Sequence, residues 1–137
     1  MNAQPMRRSS RQPAPARVLV IDDDPAVLEA LKLVLLQEGF YVVEAESGDV
    51  AVAAASTDAF DVAITDLKMP GMSGLDTLAA LRRIDPSLPV IVSSGFLPEE
   101  VAAECSGLGA LACIQKPFDL DDLVALVQRA LRERVAE

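Results

Sequence analysis

Five short, largely apolar runs, each followed by a polar residue or a turn, constrain this chain more than anything else in it. They are Arg17–Ile21, Phe40–Ala45, Asp61–Thr65, Val90–Ser93 and Leu111–Gln115. The runs are rich in β-branched side chains, as expected of strands buried on both faces of a parallel sheet. Helical stretches separate them. Asp24 suits an N-cap, with Pro25 at the first helical position. Val27, Leu28, Leu31, Val34 and Leu35 then share one face, and Gly39 stops the helix. Ser47 suits the cap of a short Ala-rich helix running to Ser56. Further helices are expected over Leu75–Ile84, over Pro98–Gly107 with few apolar anchors, and after the cap residue Asp119. Five strands alternating with five helices predict an α/β fold, a doubly wound parallel sheet with right-handed crossovers.

The polar residues that end these runs are not scattered. Asp22 and Asp23 follow the first run, Asp66 the third, Ser94 the fourth and Lys116-Pro117 the fifth. All lie at strand carboxyl ends, where open α/β sheets form their functional crevice. After Asp66 comes Leu67-Lys68-Met69-Pro70-Gly71-Met72-Ser73-Gly74, punctuated as a loop. A carboxylate can act as a nucleophile and form a covalent intermediate. Three carboxylates in one crevice need a cation to offset their repulsion. Oxygen ligands without His or Cys select Mg²⁺ or Mn²⁺. Lys116 can supply a second positive charge and the Ser94 hydroxyl a hydrogen bond, as phosphoryl transfer requires. Each residue also has a plainer reading: a capped helix start for the aspartates, a loop serine, a solvated strand end for the lysine. Asp24 keeps the capping role. It is the joint placement that favours chemistry.

Composition narrows the classes. At 137 residues with 51% hydrophobic and 24% charged residues, one globular domain is expected. The chain has no histidine, which excludes a His-based metal site, a Ser/His triad and a phosphohistidine on the chain itself. Residues 1–16 are rich in Pro, Arg, Ser and Gln and read as a flexible basic leader. Arg7, Arg8, Arg11 and Arg17 leave eight of the 12 basic residues to face 21 acidic ones, a net of −13 beyond residue 17. Such a body repels nucleic acid, so no direct DNA binding is expected. No apolar run approaches a membrane span, and the N-terminal arginines precede no apolar segment, so the chain reads as cytoplasmic. Cys105 and Cys113 lack metal-ligand spacing and read as reduced, partly buried thiols.

Val18-Leu19-Val20-Ile21-Asp22-Asp23-Asp24, Asp66-Leu67-Lys68-Met69-Pro70 with Gly74, Ser94-Gly95 and Lys116-Pro117-Phe118, taken in order, resemble the receiver domains of bacterial two-component response regulators. The resemblance covers residues 17–135. It implies a flavodoxin-like sheet of order 2-1-3-4-5. It implies that Asp66 accepts a phosphoryl group from a phosphohistidine of a sensor histidine kinase or a histidine phosphotransfer protein. Asp22 and Asp23 match the acidic pair that holds Mg²⁺, and the Lys68 backbone carbonyl matches a further ligand beside Asp66. Ser94 matches the switch hydroxyl, and Lys116 the family's lysine. The implied role is a signalling receiver that catalyses its own phosphorylation and dephosphorylation, not an enzyme. Its implied partners are the kinase, a downstream protein meeting the face of the fourth helix, fifth strand and fifth helix, and a second copy on phosphorylation.

Two departures stand out. Cys113 occupies the fifth-strand position where the family usually carries Tyr or Phe, and it is too small to fill a ring-sized space. Phe96 is then the residue expected to move with the weak fourth helix, the alternative being a static plug. The chain also ends a few residues beyond its last helix, at Glu137, so a stand-alone receiver or a receiver cut from a larger protein is expected. Three other readings compete. A haloacid dehalogenase-type phosphotransferase would place an acid two residues after its nucleophile, where this chain has Lys68. Gly107-Leu108-Gly109-Ala110-Leu111-Ala112 spells G-x-G-x-x-A, but it precedes a strand instead of opening a helix. A receiver that binds partners without phosphorylation is disfavoured by the full set of acceptor residues.

Overall fold

The computed structural model describes residues 14–136. Residues 1–13, most of the expected leader, lie outside them. Five strands alternate with five helices: β1 Arg17–Ile21, α1 Pro25–Gln37, β2 Tyr41–Ala45, α2 Gly48–Thr57, β3 Val62–Asp66, α3 Gly74–Ile84, β4 Val90–Ser94, α4 Glu99–Gly107, β5 Ala112–Gln115 and α5 Leu120–Ala136. All strand pairs are parallel, in the order β2-β1-β3-β4-β5. This is the flavodoxin-like arrangement expected from the sequence.

Strand alternation divides one apolar run between two cores. Val18 and Val20 of β1 face one way with Val62 and Ile64 of β3, against Leu28, Leu31 and Leu35 of α1 and Leu123 and Val127 of α5. Leu19 and Ile21 face the other way with Ala63, Val90 and Val92, against α2, α3 and α4. Each fully buried Leu, Ile or Val contributes about 1.5–3 kcal/mol by leaving water. The three central strands therefore hold the fold, and the loops at their carboxyl ends can carry charge that would otherwise be costly.

The helix ends follow local chemistry. The Asp24 carboxylate accepts the Ala26 N–H at 2.9 Å, with Pro25 opening α1. Gly39, at φ +88°, reverses the chain, and the N–H groups of Gly39 and Phe40 close on the carbonyls of Leu36 and Leu35. Ser47 caps α2 through the Val50 N–H at 3.2 Å. Ser73 does the same for α3 through the Asp76 N–H at 3.1 Å, a cap the sequence reading missed by starting that helix at Leu75. In α4 only Cys105 is fully buried, so this helix is weakly anchored to the core. No helix among the described residues is long and apolar enough to cross a membrane.

Candidate functional site

The order β2-β1-β3 reverses chain direction across the sheet between β1 and β3, which opens a crevice beyond their carboxyl ends. Asp22, one residue past β1, and Asp66, the last residue of β3, sit there side by side. Both are buried, at 1% and 7% exposure, while Asp23 is exposed. One ligand oxygen from each of Asp22, Asp23 and Asp66 falls within 4.8 Å of the others. The Lys116 side chain reaches across from the end of β5. Its Nζ lies 2.8 Å from Asp22 Oδ2 and 3.5 Å from Asp66 Oδ1. The other Asp22 oxygen accepts the Asp24 N–H at 2.9 Å, which fixes the carboxylate in place.

Two buried carboxylates thus share one ammonium, with the Asp23 carboxylate beside them. Burial pushes the Asp66 carboxyl above its usual range, the Asp22 charge pushes it further, and Lys116 recovers only part of the shift. Lys116 loses some basicity to burial. The hydrogen bond and charge of Asp22, followed by Asp66, more than restore it, so the ammonium holds its proton well above neutrality. The crevice is short of positive charge, and every donor in it is a hard oxygen. That donor set suits Mg²⁺ or Mn²⁺ and offers nothing to a softer metal.

Ser94 ends β4 fully buried, but its hydroxyl is not aimed at Asp66. It donates to the Phe96 carbonyl at 2.8 Å and accepts the Phe96 N–H at 3.2 Å. The Phe96 ring is 65% exposed and plugs nothing; the Lys68 ammonium stands 5.9 Å from its centroid. Between them lies a cavity of about 180 Å³, bordered by Leu67, Leu75, Ser94, Phe96 and Val101. Lys68, the residue that departs from the dehalogenase pattern, thus reaches toward the β4–α4 loop. The Lys116–Pro117 peptide is cis. The G-x-G-x-x-A stretch closes α4 and turns into β5, with Gly109 at φ +97°, so it cradles no phosphate at a helix start.

Gly74 is a site residue that the sequence reading named only as part of a motif. A Cβ there would overlap the Asp66 carbonyl oxygen and the Leu67 Cα. Its N–H also donates to the Leu67 carbonyl at 2.9 Å. The start of α3 is thereby packed directly on the backbone that carries Asp66. Gly74→Ala should destabilise the fold by about 1–3 kcal/mol, the usual range for overpacking. It should also displace Asp66, read as a lower urea midpoint together with weaker Mg²⁺ binding. A wild-type midpoint would refute the close approach.

Residues 18–128 match the family described as response regulator receiver domain. The chain is 36% identical over 121 residues to the transcriptional regulatory protein GlrR of Escherichia coli K12, an alignment covering 87% of this chain and 27% of that protein. The chain thus spans little more than a quarter of the length of that curated relative. Among solved structures, a CheY-like receiver domain protein from Methanospirillum hungatei JF-1 superposes with a TM-score of 0.86 at 30% identity, covering 89% of this chain and 98% of that one. The beryllofluoride-activated NtrC4 receiver domain dimer superposes with a TM-score of 0.82 at 26% identity, covering 86% and 98%.

Proposed function

Because the chain belongs to the response regulator receiver domain family, the phosphoacceptors of two-component systems, we propose that residues 17–135 form a receiver phosphorylated on Asp66. The observation that carries this reading is the lysine bridge between Asp22 and Asp66, at 2.8 and 3.5 Å, with Asp23 beside it. Asp22, Asp23, Asp66 and the Lys68 backbone carbonyl would hold Mg²⁺ or Mn²⁺. When bound, the ion supplies positive charge that offsets the phosphoryl oxygens.

The donor is a phosphohistidine of a sensor kinase or a histidine phosphotransfer protein. An Asp66 oxygen attacks phosphorus, the P–N bond breaks, and its electron pair leaves with the imidazole. Lys116 is already within ion-pair reach of Asp66 and follows the new charge onto a phosphoryl oxygen. Ser94 can donate to that group only by releasing the Phe96 backbone, which frees the β4–α4 loop. The weakly anchored α4 then shifts, and the face of α4, β5 and α5 reports the change to a downstream protein. The activated NtrC4 dimer supports a second copy of this chain as one such partner. The reading places the protein in the cytoplasm, beside its kinase.

The test is intact mass after incubation with acetyl phosphate. A gain of about 80 Da, one phosphoryl group, is expected with Mg²⁺ and not with excess chelator. A gain that survives the chelator would sink the metal-dependent reading. Direct DNA binding has no part in it: with a net of −13 beyond residue 17, the protein should leave duplex DNA unshifted in a gel at moderate salt. A shift at micromolar protein would contradict that.

A further inference from the structure

The two thiols are remote from Asp66 and play no part in the phosphoryl chemistry. Both are free. Cys105 lies near the end of α4 with no exposed surface, and it is that helix's one fully buried residue. Its carbonyl accepts the N–H groups of Leu108 and Ala110 at 3.1 and 3.0 Å, which turn the chain back toward β5. Cys113 sits on β5, half-buried. Strand alternation sends its neighbour Ile114 to the core beside α1 and α5, while Cys113 packs against the cluster that contains Cys105. The Cys105 thiol is pushed up to about 11, by burial first and then by the charges of Cys113 and Glu104.

We propose that Cys113 and Cys105 are a modification site for hydrogen peroxide, which converts them to an intramolecular disulfide tying the end of α4 to β5. Cys113 reacts first, because Cys105 has no surface to meet the oxidant. The Cys113 thiolate attacks one peroxide oxygen, the O–O bond breaks, and hydroxide leaves with the electron pair; it takes up the proton the thiol gave up, leaving a sulfenic acid and water. The Cys105 sulfur then attacks the sulfenic sulfur, the S–S bond forms, and hydroxide leaves to become a second water. Two thiols have lost two electrons and two protons, and the peroxide has gained them. The second step draws on a thiolate that burial and the neighbouring charges disfavour, so cross-linking is slow at neutral pH. The staple falls on α4 at its one fully buried residue, so it restrains a weakly anchored helix.

The experiment is treatment of the full chain with hydrogen peroxide, followed by mass analysis and peptide mapping. We expect a monomer lighter by about 2 Da, with peptides containing Cys105 and Cys113 joined and separable by dithiothreitol. Cross-linking should be faster in mildly alkaline than in neutral buffer, because both steps use a thiolate. Amide exchange across 99–107 should slow in the oxidised protein. In Cys105→Ser, Cys113 should persist as a sulfenic acid that dimedone traps. In Cys113→Ser, Cys105 should remain a thiol. Conversion of wild-type Cys113 to sulfinic acid with Cys105 untouched, or a cross-link between two chains, would overturn the proposal. None of these readouts depends on phosphorylation of Asp66.

Discussion

Asp66→Asn should take up no phosphoryl group from acetyl phosphate and Mg²⁺, and it should melt at a higher temperature than the parent protein. The first half follows from chemistry, since a carboxamide is not a nucleophile toward phosphorus under these conditions. The second half follows from the environment of Asp66. Burial and the Asp22 charge both disfavour its ionised form in the folded state, and Lys116 offsets this only in part. A carboxyl whose native pKa lies above its unfolded value of 3.8 opposes folding at all higher pH. Its penalty is relieved as pH falls through the native pKa toward 3.8. An uncharged isostere removes the penalty outright. The stability gap between Asp66→Asn and the parent should therefore be widest near neutrality and close on acidification. Adding Mg²⁺ should also narrow it, because the ion stabilises only the parent's carboxylate. Thermal melts at several pH values, with Mg²⁺ or chelator, check the second half, and intact mass checks the first. Phosphoryl uptake by Asp66→Asn would remove Asp66 from the acceptor role. A parent as stable as the variant in chelator at neutral pH would contradict the charge-strained crevice.

The sheet was legible because its strands announce themselves twice, as apolar runs and as runs that stop at polar residues. The residue-level errors sit where those two signals part. The apolar signal of β3 ends at Ile64, so the sequence predicts a strand only to Thr65. The ladder continues to Asp66, paired with Ser93. Asp66 is thus held by strand geometry instead of hanging on a loop, which gives its carboxylate a fixed position. In the same way β2 begins at Tyr41 and not Phe40, because Phe40 completes the turn that Gly39 starts.

The acidic pair, Asp66 and Lys116 were legible because parallel topology alone delivers strand ends to one edge. What happens between neighbouring loops was not. Whether Ser94 points at Asp66 or at Phe96 depends on the backbone of a four-residue connection, Gly95–Pro98, that carries no periodic signal. The exposure of the Phe96 ring and its approach to Lys68 depend on two loops from different strands. The packing of Cys113 on the Cys105 cluster depends on which face of β5 looks toward α4, and a four-residue strand of mixed pattern does not declare its inner face. Sequence periodicity carries secondary structure and topology; side-chain direction in loops is a tertiary property.

Lys116→Ala is the second large effect, and it separates holding the fold from transmitting the signal. In the parent, the Lys116 ammonium is the positive charge closest to Asp22 and Asp66 among the described residues. Removing it leaves two buried carboxylates facing each other. Breaking a fully buried ion pair typically costs about 3–5 kcal/mol. Here the lysine side chain is 25% exposed and Asp22 keeps the Asp24 N–H, so the loss should fall below that range and the fold should persist. Mg²⁺ should restore most of the stability and bind as tightly as to the parent or tighter, since a competing cation has gone. The signal should nonetheless fail. The new charge on Asp66 would lack the ammonium that follows it, and the pull on the β5–α5 connection would be lost. Calorimetric Mg²⁺ titration gives the first result. Amide shifts across α4, β5 and α5 on adding beryllofluoride with Mg²⁺ give the second. Shifts of parental size in Lys116→Ala would mean that the lysine only neutralises the resting crevice. Mg²⁺ binding weakened along with the shifts would instead mean that the lysine organises the metal site itself, and the division of labour drawn here would be wrong.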